Sequence, residues 1–458
     1  MKLVYDVKDK PKFGQLIVFA FQQLLAIMAA TIAVPAIIGN GMTASAALFG
    51  AGVGTIVYQL FTKFKSPAFL GSSFAFIGSM FAAFGGAASA SAGFAGIIIG
   101  AVFAGLVYVV IAIIVKLVGV KWINKIMPAV VIGPTVAIIG LSLAGNAIGD
   151  MLKGDILNKD GATTANPLIA FACGLVTLLV VVICSTYGKK MAKLIPFIIG
   201  IAAGYVVALV FTLIGIKTGN TAIQIIDFAP FKALVAGGVG LNTFIALPKF
   251  TFVEGFKGLS AINGSYVASV AVAYVPVAFV VFAEHIADHK NLSSIIEKDL
   301  LEEPGLHRTL LGDGVGSMFG ALFGGCPNTT YGESVGCVAI TRNASVATIT
   351  TTAVLAMLVA FVSPFVAFLD SIPACVMGGV CVTLYGFIAV SGLKMLQKVN
   401  LDDNKNLFTA SVILIAGIGG LSLTFGKVTL TSVACALILG IIVNTILSKA
   451  KAPEKTEE

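Results

Sequence analysis

The chain has 458 residues, of which 58% are hydrophobic and only 11% are charged, and its formal net charge at pH 7 is +8. Soluble domains carry roughly 25% charged residues, so this composition excludes an ordinary soluble fold. The basic residues are spread between apolar runs along the whole chain, and we therefore expect no nucleic-acid partner. Residues 1–12 are polar and charged, so no cleavable signal segment is expected there.

Apolar runs long enough to span a bilayer, about 20 residues each, recur down the chain. In chain order they lie at 13–39, 43–64, 92–119, 128–147, 167–187, 194–216, 263–287, 346–369, 373–393, 407–423 and 428–447. Shorter, glycine-rich apolar pieces lie at 66–84, 310–325 and 328–340. Together these segments predict an all-α polytopic membrane protein with about 14 transmembrane segments.

The lysine and arginine residues predict the orientation of these segments. If the N-terminus is cytoplasmic and the number of crossings is even, most of the 29 basic residues fall in inner segments. That is the bias which the positive-inside rule expects. The sequence therefore predicts a multi-pass protein of the cytoplasmic (inner) cell membrane, surrounded by lipid, with both termini in the cytoplasm.

Enzyme and metal motifs are missing from the sequence. The seven cysteines are scattered and the chain has only three histidines, without the spacing of metal ligands. No Walker loop, dinucleotide fingerprint or nucleophile elbow is present. We therefore expect a protein that is not an enzyme and that has no metal site and no cofactor.

Two short stretches echo each other in the two halves of the chain. In KSPAFLGSSFAFIGSM, Pro67 lies six residues before Ser73, and in GGCPNTTYGESVG, Pro327 lies six residues before Glu333. β-branched and aromatic residues favour extended backbone here, which the membrane interior tolerates only inside protein or along a cavity. Interrupted segments at matching positions of inverted halves indicate a transport site. Re-entrant loops with a purely structural role remain an alternative.

Carboxylates in two apolar segments are the second signal. Glu284 closes the run YVPVAFVVFAEH, and Glu333 lies in the second interrupted stretch. A charged carboxylate inside a bilayer is costly, so it pairs, faces water or takes up a proton. Asp288 lies one turn beyond Glu284 on the same helical face, and Asp313 is a further candidate. His285 either takes part in a proton relay or packs structurally.

Several motifs resemble one known family over nearly the whole chain. They are GSSFAF (71–76), AEH (283–285), EKDLLEEPGLHR (297–308), PNTTYGESVGCVAITR (327–342) and MGGV (377–380). With them the sequence resembles the nucleobase–ascorbate transporters, also called nucleobase:cation symporters, and among these most of all the bacterial uracil permeases.

This resemblance implies a detailed fold. It consists of 14 transmembrane segments in two inverted seven-segment repeats, with segments 3 and 10 broken by short antiparallel β-strands. A core domain would comprise 13–119 (segments 1–4) and 262–369 (segments 8–11). A gate domain would comprise 120–216 (segments 5–7) and 373–449 (segments 12–14). The resemblance also implies a homodimer.

The resemblance further implies a function and a set of site residues. The function is proton-coupled symport that imports uracil by alternating access between core and gate domains. The alternatives are a purine (xanthine or urate) symporter of the same family and an anion exchanger on the same fold. Substrate would be bound by Glu284, Glu333, Phe74, Gly332, Ser73, Tyr331, Ala30 and Tyr385. Proton coupling would involve Glu284, Asp288 and His285.

Two positions depart from the family pattern. Some relatives carry a histidine one turn after the first glutamate, where this chain has Asp288. The family often has an asparagine after the second glutamate, where this chain has Ser334. The first difference bears on which group carries the proton, and the second bears on selectivity.

Overall fold

The computed structural model of the protein describes residues 3–120, 122–123, 127–158, 162–189, 191–425 and 428–448. The predicted gate ranges 120–216 and 373–449 therefore include positions outside the described residues, namely 121, 124–126, 159–161, 190, 426–427 and 449.

The first half is almost entirely helical. Its elements are α1 (Phe13–Ile38), α2 (Ala44–Phe61), β1 (Leu70–Ser72), α3 (Ile77–Gly85), α4 (Ala90–Val118), α5 (Ala129–Ser142), α6 (Ala144–Met151), α7 (Pro167–Tyr187), α8 (Met191–Leu194) and α9 (Pro196–Thr218). A single 3₁₀ turn, Phe74–Phe76, joins β1 to α3.

Short connecting helices precede a second helical half. The connecting helices are α10 (Ala229–Val235), α11 (Leu241–Phe244) and α12 (Thr251–Gly258). The second half contains α13 (Gly264–Ile296), α14 (Leu306–Gly324), β2 (Asn328–Thr330), α15 (Gly332–Thr341), α16 (Val346–Val359), α17 (Ser363–Asp370), α18 (Ala374–Leu396), α19 (Asn404–Ile418), β3 (Leu423–Phe425), β4 (Val428–Leu430) and α20 (Ser432–Leu447). Among the described residues, 8 helices are long and apolar enough to cross a membrane.

The apolar run at 346–369, one of the predicted membrane spans, is not a single helix. It forms α16 and α17, with a break at 360–362. Pro364 lies in the first turn of α17, and proline disfavours continuation of a preceding helix because it lacks an N–H and its ring crowds the preceding turn. The run at 428–447 likewise begins as strand β4, which pairs antiparallel with β3.

At the two interrupted stretches the chain forms a pair of three-residue strands. β1 pairs antiparallel with β2, in the register Leu70 with Thr330 and Ser72 with Asn328. Two further backbone hydrogen bonds extend the ladder at its ends, from Ser73 N to the Pro327 carbonyl and from Tyr331 N to the Phe69 carbonyl. All six strand residues are buried. Each strand therefore satisfies the backbone groups that the other would leave unpaired.

Side chains from the surrounding helices fix this strand pair. The hydroxyl of Thr55 on α2 accepts from Leu70 N at 2.9 Å, and it lies 3.1 Å from the Leu70 carbonyl. Asn328 donates from Nδ2 to the Gly50 carbonyl of α2 at 3.1 Å. Tyr331 donates from its hydroxyl to the Ser72 carbonyl at 2.8 Å. The strand pair is thus hydrogen-bonded to α2, and Tyr331 adds a side-chain bond between the two interrupted segments.

The long helices pack into two groups. In the first group, α14 packs on α2 and α4, α13 on α4, and α16 on α1 and α2. In the second, α18 packs on α5, α6 and α7, α9 on α7, and α19 on α5 and α20. Contacts between the groups are fewer and involve chiefly α1 and α13. The strand pair belongs to the first group.

The N-terminal residues hold the far end of α15. Val4 donates from its backbone N–H to the Arg342 carbonyl at 2.8 Å, and Ala344 donates to the Tyr5 carbonyl at 2.9 Å. Lys298 hydrogen-bonds to Asp6, and this bond lowers the pKa of the Asp6 carboxyl below its ordinary value. The helix that begins beside the strand crossing is therefore held at both ends.

The packing of the β1–β2 strand pair leaves no room for a side chain at Gly71. A Cβ at this position would lie 2.4 Å from the ring of Tyr331, which is buried and hydrogen-bonded. We expect Gly71→Ala to lower the stability of the detergent-purified protein by about 1–3 kcal/mol through overpacking. Thermal unfolding followed by size-exclusion chromatography measures this as a lower midpoint.

Gly145→Ala is the matched control, because a Cβ at Gly145 meets nothing within 4 Å. Its midpoint should be no lower than that of the wild type, because alanine is favoured over glycine in a helix. An unchanged midpoint for Gly71→Ala would contradict the close packing of the crossing.

Candidate functional site

A cavity of about 410 Å³ lies between the two helix groups, and we call it the central cavity. That volume is in the usual range of small-molecule sites, roughly 300–1,000 Å³. The first group lines it through Phe74, α13, β2 and the first turns of α15. The second group lines it with residues from α5, α7, α8, α9 and α18. A cavity bounded by both groups changes shape if either group moves.

Three carboxyl groups line the central cavity. Glu284 and Asp288 are one turn apart on α13, and Glu333 is the second residue of α15. All three side chains are half-buried, and their open sides face the cavity. Glu284 and Glu333 make no hydrogen bond or ion pair with another described residue. Both carboxyls are therefore available to a bound molecule.

The start of α15 adds hydrogen-bond donors to the same wall. The N–H groups of a helix's first turn lack intrahelical partners. Here they belong to Gly332, Glu333 and Ser334, since the N–H of Val335 already donates to the Tyr331 carbonyl. Gly332 is exposed to the cavity. This wall therefore combines a carboxyl acceptor, Glu333, with backbone donors on the same and adjacent residues.

Two side-chain contacts position the carboxyl-bearing elements. Thr330 on β2 donates to Asp288 Oδ2 at 2.8 Å, which ties α13 to the strand crossing. Gln23 on α1 is buried and donates from Nε2 to Ser334 Oγ at 2.6 Å, which holds the first turn of α15. Ser334, one of the two positions that depart from the family pattern, is thus hydrogen-bonded to α1.

Aromatic side chains close one end of the cavity. Phe74 lines it and meets Tyr385 of α18 edge to face, with ring centroids 5.7 Å apart. Tyr385 is buried behind this contact, and its hydroxyl has no partner among the described residues. The pair joins the two helix groups directly beside the carboxyl groups.

The structure gathers six of the predicted site residues around the cavity. Those that line it are Glu284, Glu333, Phe74, Gly332, Tyr331 and Asp288. The other four do not line it: Ser73, Ala30, Tyr385 and His285. The backbone N–H of Ser73 is used in the strand ladder. Ala30 and His285 are fully buried.

Sequence reasoning missed the wall supplied by the second helix group. Phe387, Ile388, Ser391 and Met395 of α18 line the cavity, but they lie in a uniformly apolar helix without any local signal. Lys193 of α8 is the one basic residue in the lining of the described part of the chain. Thr329 and Thr330 could have been predicted from the sequence, because they belong to the PNTTYGE motif.

The cavity extends toward one end of the helix bundle. Lys193 precedes α9, Met395 lies near the end of α18, and Ile340 lies near the end of α15. Arg342, just beyond Ile340, contacts the N-terminal residues. The opening therefore lies on the side of the N-terminus, which the basic residues predict to be cytoplasmic.

Comparison with known proteins gives a family and close relatives. The family model Xan_ur_permease, described as "Permease family", matches residues 14–426. A uracil permease of Bacillus caldolyticus is 38% identical, over 97% of this chain and 95% of its own length. A uracil permease of Bacillus subtilis (strain 168) is 37% identical, over 98% and 96%. One from Escherichia coli (strain K12) is 34% identical, over 95% and 92%.

Solved structures resemble the fold at low identity. The transmembrane domain of a cyanobacterium bicarbonate transporter, BicA, has a TM-score of 0.61 at 16% identity, covering 97% of this chain and 100% of that one. The murine Slc26a9 anion transporter in its inward-facing state has a TM-score of 0.63 at 11% identity, covering 96% and 69%. At these identities the likeness concerns the fold alone. The chain shares that fold.

The direction of the opening is testable by cysteine labelling. Ser391 of α18 is exposed and lines the cavity. We expect Ser391→Cys to react with a membrane-impermeant thiol reagent in inside-out vesicles, well above the wild-type background. In right-side-out vesicles it should stay unreacted.

Thr177→Cys is the control, because Thr177 is fully buried on α7. It should react in neither preparation. Faster labelling of Ser391→Cys in right-side-out vesicles would contradict either the opening or the orientation.

Proposed function

This chain belongs to the Xan_ur_permease family of permeases, and from that membership we propose that it imports uracil across the cytoplasmic membrane by symport with protons. The observation that carries the proposal is the central cavity, where unpaired Glu284 and Glu333 face backbone donors at the start of α15. The relatives described as uracil permeases support the choice of substrate.

The chemistry of the cavity suits a flat, uncharged pyrimidine. Uracil alternates N–H and C=O groups along its edge. An ionised Glu333 accepts hydrogen bonds only, so it would bind ring N–H groups, while a protonated Glu284 can donate to a ring carbonyl. The N–H of Gly332 can donate to a carbonyl as well. Phe74 provides an aromatic face for the ring.

The same arrangement would couple a proton to the substrate. Three carboxyl groups share one cavity, and Lys193 is the only basic residue lining it within the described ranges. Keeping all three ionised beside each other inside a membrane is unfavourable. A proton on Glu284 or Asp288 lowers that repulsion and supplies a donor for the substrate. Substrate and proton then bind together, and no cofactor takes part.

Alternating access would follow from the two helix groups. We propose that the group of α1–α4 and α13–α17 is the core domain, and that the group of α5–α9 and α18–α20 is the gate domain. Fourteen transmembrane segments in two inverted repeats account for this division. Rocking of one group against the other would open the central cavity to each side in turn. The family resemblance further supports a homodimer.

The rival substrates fit the cavity less well. An anion would meet three carboxyl groups, so anion exchange is disfavoured although both solved relatives of the fold move anions by their titles. A purine symporter of the same family stays the nearer alternative. The similarity to proteins described as uracil permeases favours the pyrimidine over it.

Proton coupling predicts a specific response in proteoliposomes. Uptake of radiolabelled uracil should rise several-fold when the outside is made more acidic than the lumen, and a protonophore should remove the increase. Xanthine, urate and sulfate in excess should compete less well than unlabelled uracil. Uptake that is insensitive to the imposed gradient would rule out symport with protons.

Glu333 should be required for binding. Charged hydrogen bonds contribute roughly 1.5–3 kcal/mol, so we expect Glu333→Gln to weaken uracil binding by at least about tenfold. Equilibrium binding of labelled uracil to the purified protein measures this.

Glu254→Gln is the matched control for that measurement. Glu254 lies outside the cavity and pairs with Lys257 at 2.8 Å on the surface. Its affinity should equal that of the wild type. Near-normal affinity in Glu333→Gln would remove Glu333 from the site.

A further inference from the structure

A sealed polar cluster lies behind the central cavity, on the other side of α13. His285 follows Glu284 in sequence but points away from the cavity and is fully buried. Its Nδ1 lies 2.6 Å from Asp313 Oδ2 on α14, and its Nε2 lies 3.0 Å from Thr309 Oγ1 on the same helix. Asp313 is itself only 1% exposed. Both helices thus meet through a histidine–carboxyl pair.

Hydrogen positions in this pair follow from counting donors. Thr309 has one hydroxyl hydrogen, and its oxygen lies 3.0 Å from the Leu306 carbonyl, which only accepts. If Thr309 donates there, His285 Nε2 must carry a hydrogen. Nδ1 and Asp313 Oδ2 then need a second hydrogen between them. If Thr309 instead rotates and donates to Nε2, a neutral His285 donates from Nδ1 to an ionised Asp313.

Electrostatics separates these two arrangements. The first has no net charge, whereas the second leaves a bare negative charge on Asp313. The titratable groups beside the pair are Tyr58 of α2, Tyr108 of α4 and His289 of α13, while Glu284, Asp288 and Glu333 lie on the cavity side of α13. Among these described groups there is no lysine or arginine to offset a carboxylate. Burial of an uncompensated charge is costly, so the neutral arrangement is favoured.

We propose that Asp313 and His285 hold one shared proton throughout the transport cycle and act as positioning residues for α13. This inference rests on the proposed proton symport, since it says which groups do not carry the transported proton. The carrier is then a carboxyl that lines the cavity. His285, which the sequence placed among the proton-coupling candidates, takes a different role.

The pair is well placed to set the rotation of α13. Successive residues of a helix differ by about 100° in direction, so His285 pointing at α14 fixes Glu284 toward the cavity. His289 continues the attachment one turn on, donating from Nδ1 to the His285 carbonyl at 2.8 Å. Its Nε2 lies 2.7 Å from the hydroxyl of Tyr58 on α2. The side of α13 opposite the carboxyls is thereby attached to two neighbouring helices.

The direct test is nitrogen NMR on wild-type protein in liposomes, with ¹⁵N-labelled histidine. The chain has three histidines, and single His289→Gln and His307→Gln variants assign their signals. We expect the Nε2 of His285 to stay protonated from about pH 5.5 to 8.5, the range in which an ordinary histidine titrates. His307, half-buried at the start of α14, provides an internal reference.

Loss of the Nε2 hydrogen of His285, or a change of its protonation within that range, would overturn the proposal. The spectra require no transport. A titrating His285 therefore refutes this inference while leaving uracil symport standing, and failed uracil uptake does the reverse.

A pair of variants tests the positioning role. In Asp313→Asn, the amide can donate to Nδ1 and the pair stays neutral, so uptake should remain within about tenfold of wild type (1.4 kcal/mol) with an unchanged pH profile. Asp313→Leu has a similar side-chain volume but no donor, and uptake should fall by more than that. A shifted pH profile in Asp313→Asn would show that the pair titrates during transport. If Asp313→Asn does not fold, the NMR measurement on the wild type decides.

Discussion

The hydrogen-bonding requirement of backbone inside a membrane organises this protein. The two segments that contain β1 and β2 are not helical where they meet. Alone, each would leave N–H and C=O groups unpaired in an apolar medium. β1 and β2 satisfy one another across the middle of the bundle. Thr55 and Asn328 satisfy groups beside them. Among the described residues, the first N–H groups of α15 have no backbone partner, and they open onto the central cavity.

Electrostatics follows from this backbone arrangement. The first turn of α15 presents free N–H groups, and an acidic residue there is favoured by the helix dipole. That accounts for a carboxyl at Glu333 in an otherwise apolar segment. α13 brings Glu284 and Asp288 to the same space and has the His285–Asp313 pair on its other side. One helix thus separates carboxyls open to the cavity from a carboxyl sealed in the protein.

Sequence predicted much of this, because the main signals are strong ones. Apolar length predicts membrane spans, and prolines, glycines and β-branched residues mark the interrupted segments. An acid such as Glu333 in an apolar segment needs a functional or paired explanation. The resemblance to uracil permeases is confirmed by the family match and by identities of 34–38% over nearly the full length. Glu284, Glu333 and Phe74 were therefore predicted to share one site.

Other features depended on tertiary contacts that no local pattern encodes. The wall formed by Phe387 and Ser391 belongs to a helix that is apolar on every side, so nothing in its periodicity marks a lining face. The partner of His285 lies 28 residues away on another helix. The break before α17 was visible in Pro364, but hydropathy averaged over the run concealed it.

The central claim is that a neutral pyrimidine binds at the meeting point of the two interrupted segments. An experimental structure of the protein with uracil bound tests it most directly. The account predicts that the ring lies beside Phe74, with its polar edge within hydrogen-bond distance of the Glu333 carboxyl and the Gly332 N–H. Uracil bound elsewhere, or a Glu333 side chain turned away from it into a dry contact, would contradict the account.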